Sequence, residues 1–499
     1  MKTVTLSAKK LPSDLQAEFG EITPAFLPIQ NDIVLEWHSK LAEQHHYVTL
    51  DQDYDISNFE RSKLASLDIT ILNISGSSSL KDVLHDVFKK LISSHGLKSN
   101  EIIRILYGDS ICTKLPNTFL KKPEAALIGQ TQIQNDGDWY RIKESDITFS
   151  GVFQFSYQMI RKIIASSNDD KDFFDKIISS DNFELVQTNN IYDLGRSHTY
   201  HKNKLTFSPA RHFNKISLDN YVFTKTGPID KINAEFEWFE NLPVGLQPFT
   251  PKIFKKGRSK NQAYYQLETI YESNISDTII HGKLRESSVS KIYEQIENFL
   301  QKSKTYQNGL TINLKSEFNS KLENRIKSKK MREFIERNRL QPIFNTIYDA
   351  YRKANEKILL ESDQAQIIHG DLCYSNILYN FKKNTIKLID PRGLTLNGKE
   401  KSIYGSQFYD IIKLGHSAAF GYDLILRGIS ANDIINQENI QCAAEHYWDL
   451  QSITENKYSK KQINLGIGNL FITMIPLHSD NNRRQLEFLK LAQYIIGTI

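Results

Sequence analysis

The sequence predicts two folds in succession, an α/β domain over residues 1–210 and an α+β domain over residues 211–499. Three observations predict it. β-Prone runs alternate with helical patterns through the first part, which argues for a parallel sheet covered by helices. A β-prone run ending at Lys225 leads into an amphipathic helical pattern over residues 229–242. The stretch 367–393, IIHGDLCYSNILYNFKKNTIKLIDPRG, holds two short strands around a polar turn, and helical patterns with short polar loops fill the remainder to Ile499.

In the first part, Thr3-Val-Thr-Leu6 opens as a strand. Pro24-Ala-Phe-Leu-Pro-Ile29 then precedes an amphipathic helix that includes Ile33, Leu35, Trp37 and Leu41. A strand over 69–74, a helix over 79–93 and a strand over 102–107 follow. The last of these runs into Gly108-Asp109, so a carboxylate falls at the carboxyl edge, where α/β sheets bind ligands. Farther along come Phe149-Ser-Gly-Val-Phe-Gln-Phe-Ser156, Ile191-Tyr-Asp193-Leu-Gly195 and Tyr200.

In the second part, Tyr221-Val-Phe-Thr-Lys225 is a short strand broken by Gly227-Pro228. Pro228 suits the start of the following helix and Pro243 its end. At about 100° per residue, Ile232, Phe236, Phe239 and Leu242 share one apolar stripe. Glu235 falls inside that stripe and Glu237 on the opposite side. A carboxylate on a packed face needs a cation, and Lys225 is the natural candidate for a pair that holds nucleotide phosphates. Ala263-Tyr-Tyr-Gln-Leu-Glu268 reads as a further strand.

The stretch 367–393 carries the chemistry. Ile367 and Ile368 lead into His369-Gly370-Asp371, and a turn follows before Asn376 opens the apolar run to Tyr379. Residues 380–384 form a polar turn, and 385–389 a second strand rich in β-branched residues. If the strands pair as a hairpin, Asp390 returns beside Asn376 and two hard oxygen ligands converge. Mg²⁺ needs such a site, because it takes few protein oxygens and completes its octahedron with water and substrate phosphates. Asp371 precedes Asn376 by five residues and is placed to accept or orient the proton of a hydroxyl that is to be phosphorylated. Asp, Gly, Asn and Pro also favour plain turns, but HGD and IDP together on this strand pattern favour the functional reading.

These residues resemble the aminoglycoside phosphotransferase and choline kinase family, whose catalytic loop has the form H-G-D-x-x-x-x-N followed by a strand ending I-D. The resemblance implies a bilobal protein-kinase-like fold, with an N-lobe over 211–275 and a helical C-lobe over 276–499. It implies ATP and Mg²⁺ as cofactors, Asp371 as the catalytic Asp, His369 as the brace of the loop, and Asn376 and Asp390 as the Mg²⁺ ligands. Lys225 and Glu235 become the nucleotide-binding pair, and Glu268 closes the strand that leads to the adenine-binding hinge. Asp410, in the first turn of the helix that begins at Phe408, is similar to a family Asp that braces the loop. The chain departs from the pattern in two places. Pro391-Arg392-Gly393 stands where an aromatic or acidic residue is common, leaving Arg392 to touch phosphate or to pair with an acid. The stretch 214–220 before Lys225 has no glycine, so no G-x-G-x-x-G loop covers the phosphates.

The order of elements in the first part resembles the sugar nucleotidyltransferases, which implies a mixed sheet and a metal held by Asp109 and Asp193. The family's glycine-rich loop relies on close backbone approach to a triphosphate. The equivalent residues 7–14 contain no glycine, and Ala25 stands where a lysine is usual. Either Lys9 and Lys10 take over phosphate binding, or the domain has lost nucleotide transfer and keeps a binding or scaffolding role.

At 499 residues, two to three domains are expected. A balance of 63 basic and 58 acidic residues gives no strong field for nucleic acid or anionic membranes. The basic run over 325–332 reads as a solvated helix face. Cys112, Cys373 and Cys442 have no paired spacing, which fits reduced thiols in a cytoplasmic protein. His416 and His446 lack a partner at metal-ligand spacing and read as packing residues. No apolar stretch reaches membrane-spanning length, and the N-terminus has no signal-peptide pattern. The sequence therefore predicts an ATP-dependent kinase of a small acceptor, a sugar, polyol or amino alcohol, and by resemblance one in bacterial capsule or other surface polysaccharide synthesis. A bifunctional kinase and nucleotidyltransferase is the first alternative, and a noncatalytic nucleotide-binding scaffold the second.

Overall fold

The structure is a computed structural model of the whole chain, and the residues described are all except 76–78, 131–146, 181–182, 208–214, 220, 260, 397, 399, 435–437 and 456–457. The chain divides into two units: Met1–Ser208 with His281–Lys283, and Pro209–Ile280 with Leu284–Ile499.

The first unit is built on a seven-stranded sheet. In spatial order its strands are Glu184–Gln187, Ala125–Gln130, Ile147–Ser156, Ile102–Tyr107, Lys2–Leu6, His46–Asp51 and Ile69–Ile74. Ile147–Ser156 runs antiparallel to both neighbours and every other pairing is parallel, so the sheet is mixed, not parallel throughout. The strand–helix alternation before residue 107 is the parallel portion, and the reversed strand lies beyond it. Helix Leu80–His95 begins at Ser79, whose hydroxyl accepts from the Asp82 amide, and ends at Gly96 with φ 62°. Gly suits that left-handed cap because it lacks a Cβ. Val87, Phe88 and Leu91 of this helix join Ile103, Ile105, Phe153 and Phe155 of the sheet in one apolar core. The helix expected around Ile33 to Leu41 is shorter, Val34–Ser39, with Ile33 in a two-residue strand.

The second unit has two lobes, one built on a small sheet and one mainly helical. Its first lobe is an antiparallel sheet ordered Lys215–Asp219, Val222–Pro228, Gln262–Glu268, Ile253–Ser259. Helix Ile229–Glu240 packs against this sheet, and its Ile232, Phe236 and Phe239 are buried. The second lobe is mainly helical. Its helix Lys460–Met474 is almost wholly buried, and at Gly468 a Cβ would stand 2.0 Å from the Tyr351 hydroxyl. Glycine is therefore required there by close approach. The basic run over 325–332 straddles two helices, Leu314–Ile326 and Lys329–Arg337, and Arg325 is half-buried, so it is not simply a solvated face. Among the described residues no helix is long and apolar enough to cross a membrane. All three cysteines are free.

Candidate active site

Two neighbouring sequence elements bring a lysine and a glutamate together. Lys225 lies on strand Val222–Pro228, and the chain turns at Pro228 straight into helix Ile229–Glu240, whose apolar face carries Glu235. Lys225 Nζ donates to Glu235 Oε2 at 2.7 Å and to Asp390 Oδ1 at 2.9 Å, and the Tyr265 hydroxyl donates to Glu235 Oε2 at 2.9 Å. The Lys225 and Glu235 side chains are 3% exposed, whereas Asp390 is 43% exposed. The cluster is thus sealed on the glutamate side and open on the aspartate side. Burial opposes the Lys225 charge, but Asp390 and Glu235 together raise its pKa above the ordinary lysine value.

The hairpin over 377–388 supplies the second half. Ile377–Asn380 pairs antiparallel with Thr385–Leu388, with Ile377 opposite Leu388. The Ile389 amide then donates to the Asn376 carbonyl at 3.0 Å, which sets Asp390 at the same end of the hairpin as Asn376. Asn376 Nδ2 donates to Asp371 O at 2.9 Å and to Asp371 Oδ2 at 3.3 Å. The amide nitrogen is committed to the loop, so Oδ1 is the end that Asn376 can offer a cation. An amide oxygen and the half-exposed Asp390 carboxylate form a hard-oxygen donor set, which fits Mg²⁺ completed by water and phosphate.

The loop between Ile367 and Asn376 is fixed from beneath. Asp410, 1% exposed, accepts from the His369 amide and from the Gly370 amide, each at 2.7 Å. Burial pushes its pKa up to about 7 against the pull of those two amides. His369 Nε2 bonds the Ile389 carbonyl at 3.0 Å, and Nδ1 accepts from the Asp371 amide at 3.3 Å. That pattern is the neutral Nε2–H tautomer, and burial lowers the His369 pKa to about 4. Trp238 donates from Nε1 to the Ile368 carbonyl at 2.6 Å, tying the loop to helix Ile229–Glu240.

Asp371 itself is met by Lys413, whose Nζ lies 2.7 Å from Oδ1. Desolvation favours the neutral acid, but the Lys413 charge and hydrogen bond hold the carboxyl well below the usual carboxylate range. Lys413 sits one turn beyond Tyr409 on helix Gln407–Ala418, and no motif in the sequence marks it. Among the described residues Arg392 is not ion-paired with an acid. It donates to the Leu396 carbonyl at 2.9 Å, to the Thr395 carbonyl at 3.3 Å and to the Tyr409 hydroxyl at 3.4 Å.

Lys225, Glu235 and Asp390 thus form one cluster, and His369, Asp371 and Asn376 form the loop beside it. Glu268 does not join them, since its carboxylate accepts from the Lys252 amide at 2.9 Å at the end of its strand. His416 is buried among rings, stacked 4.4 Å from Tyr422. His446 is half-buried against Tyr293 at 5.8 Å.

In the first unit, strand Ile191–Asp193 pairs with Ser110–Cys112 and sets Asp193 opposite Ser110. Both carboxylates border Gly195: a Cβ there would lie 3.0 Å from Asp109 Oδ2 and 3.2 Å from Asp193 Oδ1. The loop after the first strand is committed internally. The Ser7 amide donates to Thr49 Oγ1 at 2.8 Å, the Ala25 amide to Ser7 Oγ at 2.8 Å and the Leu11 amide to the Ile22 carbonyl at 3.2 Å. Lys10 pairs with Glu21 at the surface.

No family model matches the chain and no curated protein matches it. Among solved structures, a nucleoside-diphosphate-sugar pyrophosphorylase from Vibrio cholerae RC9 is similar at 12% identity, over 41% of this chain and 100% of that one, with a TM-score of 0.33. A glucosamine kinase in complex with glucosamine, ADP and inorganic phosphate is similar at 9% identity, over 57% of this chain and 75% of that one, with a TM-score of 0.37. An ADP-bound aminoglycoside phosphotransferase is similar at 14% identity, over 60% of this chain and 96% of that one, with a TM-score of 0.36. Likeness at this level has no bearing on activity. The molecule's own topology is a mixed-sheet α/β unit followed by a two-lobed α+β unit.

Proposed function

We propose that the second unit transfers the terminal phosphoryl group of ATP to a hydroxyl of a small acceptor, a sugar, polyol or amino alcohol. The observation that carries this reading is the convergence of Lys225, Glu235 and Asp390 beside the loop of His369, Asp371 and Asn376. Such a transfer asks little covalent chemistry of the protein and depends on positioning and charge. Lys225, anchored by Glu235, holds the inner phosphates. Asn376 Oδ1 and Asp390 would hold Mg²⁺, which when bound neutralises charge on the phosphates. Asp371, kept ionised by Lys413, orients the acceptor hydroxyl and takes its proton as the new ester bond forms. His369, neutral and bonded at both nitrogens, fixes the loop without exchanging protons. The domain limits 1–210, 211–275 and 276–499 belong to the same reading.

For the first unit, the committed amides of Ser7, Leu11 and Ala25 favour a binding or scaffolding role over nucleotide transfer, although Asp109 and Asp193 share the edge of Gly195. A sugar acceptor, a part in surface polysaccharide synthesis and a cytoplasmic setting are extensions of the same reading. ADP release in the presence of an acceptor panel tests it. Lys225→Met, Asp371→Asn and Asp390→Asn should each lower acceptor-dependent ADP formation by about a thousandfold or more. Wild-type rates in all three would overturn it.

A further inference from the structure

Beside Asp371, the second unit concentrates cations from three elements. Lys321 and Arg325 lie one turn apart on helix Leu314–Ile326, Arg392 follows the hairpin, and Lys413 lies on helix Gln407–Ala418. They gather around Tyr409, which is 1% exposed. Lys321 Nζ donates to the Tyr409 hydroxyl at 2.6 Å and Arg392 Nη1 to the same oxygen at 3.4 Å. The Lys321 ammonium also lies 4.7 Å and the Arg392 guanidinium 5.7 Å from the Tyr409 ring centroid.

The carboxylates in reach do not balance these charges. Asp371 is taken by Lys413 and Asp410 by two backbone amides. Glu317, on the same helix as Lys321, is the third; burial pushes its pKa up to about 6 against the pull of Arg392 and Lys321, so near neutrality it supplies one charge that both cations share. Among the described residues Lys321, Arg325 and Arg392 form no ion pair with any carboxylate, although all three are half-buried. Cations drawn partly out of water without a counter-charge are costly. The cost shows in the groups themselves: burial lowers the Lys321 pKa to about 8, and burial with the Arg392 charge lowers that of Arg325. Tyr409 falls to about 8, its burial outweighed by Lys321 and Arg392.

We infer that Lys321, Arg325, Arg392 and Lys413 form an acceptor subsite for an anionic group, so that the acceptor is a small hydroxyl compound already carrying a phosphate or carboxylate. This rests on the kinase reading and narrows its substrate class. Lys413 joins the two halves, since it is bonded to Asp371 on one side and faces Tyr409 on the other. An acceptor anion seated between Lys321 and Arg325 would leave its hydroxyl free to meet Asp371. The transferred phosphoryl group breaks from the nucleoside diphosphate, forms its bond to that hydroxyl oxygen, and the hydroxyl proton leaves through Asp371. Free amino alcohols and aminoglycosides, being cationic, are disfavoured by the same charges.

The test uses the full-length protein with two readouts. The first is calorimetric binding of inorganic phosphate to wild type, to the Lys321→Gln/Arg325→Gln variant, to the charge-conserving Lys321→Arg/Arg325→Lys variant and to Asp390→Asn. The expected result is about tenfold or greater weakening in the Gln variant, with binding retained in the charge-conserving variant and in Asp390→Asn. The second is kcat/KM on matched acceptors: sugar or polyol against its monophosphate, and against its sugar acid. At least one anionic member should exceed its neutral twin about tenfold, with KM raised about tenfold in the Gln variant, and the two anionic arms separate a phosphate subsite from a carboxylate one. Equal phosphate binding in wild type and the folded Gln variant, or equal use of neutral and anionic twins, would overturn the inference. Failure of the kinase reading looks different: phosphate binding that depends on Lys321 and Arg325 would persist with no acceptor phosphorylated.

Discussion

Asp371 and Asp410 are two buried or half-buried carboxylates that owe their opposite environments to different partners. Lys413 holds Asp371 ionised, whereas Asp410 spends both oxygens on the amides of His369 and Gly370. Lys413→Met should therefore lower kcat by about a hundredfold or more, because it removes the charge that fixes the proton acceptor. Acceptor-dependent kinetics with circular dichroism as the fold control would check this. Asp410→Asn keeps size but offers one acceptor oxygen for two amides, so one donor is left buried and unpaired. That should cost about 1–3 kcal/mol, read as a lowered midpoint in chemical denaturation. Motif spacing points to Asp371, Asn376 and Asp390, and the helical stripe with the strand before it to Glu235 and Lys225; these residues do come together. Lys413, Lys321 and Tyr409 were not legible, because a helix buried almost all round, such as Gln407–Ala418, shows no polar face to single out a lysine.

The link between the two lobes lies in helix Ile229–Glu240. It carries Glu235 to Lys225, passes Trp238 to the Ile368 carbonyl and receives Gly393 against its own backbone. Gly393 has φ 61°, and a Cβ there would stand 2.1 Å from the Ala234 carbonyl oxygen. Gly393→Ala should thus displace either the helix or the segment after Asp390, lowering stability by about 1–3 kcal/mol and activity with it. Thermal unfolding and kinetics on the same preparation would report both. This helix was plain in the sequence, since Pro228 marks its start and its apolar stripe includes one glutamate. The helix near Trp37 was overextended because apolar spacing continues through Leu41 while the backbone leaves the helix after Ser39. The run 325–332 holds five basic residues and so resembles a solvated face, but the break at Ser328 separates its half-buried end at Arg325 from the next helix.

Across the whole molecule, acid is the condition that should discriminate most sharply. His38 and His46 are buried in the first unit around Thr5, whose Oγ1 lies 3.0 Å from His38 Nδ1 and 2.9 Å from His46 Nε2. Burial lowers the His38 pKa to about 4; burial and then the His38 charge lower that of His46 to about 3. The folded state therefore keeps both rings neutral while the unfolded chain takes up protons from pH 6.5 downward. Stability is fully present above that pH and is lost as pH falls toward 4 and 3. At pH 5 either ring should cost up to about 2 kcal/mol, measured as a falling unfolding midpoint between pH 7 and 5. His46→Gln should flatten that dependence. The strand order of the first unit was legible only in part: local alternation reveals parallel neighbours, but the reversal of Ile147–Ser156 is set by pairing with strands distant in sequence.

Phosphoryl transfer to a small acceptor should depend on Asp371. Mass spectrometry of acceptors incubated with ATP, Mg²⁺ and the full-length protein, beside the folded Asp371→Asn variant, tests it most directly. The expected result is a gain of one phosphoryl group on a single class of hydroxyl compound, absent with Asp371→Asn. A gain undiminished in that variant, or a gain of a whole nucleotidyl group in place of a phosphoryl group, would contradict it.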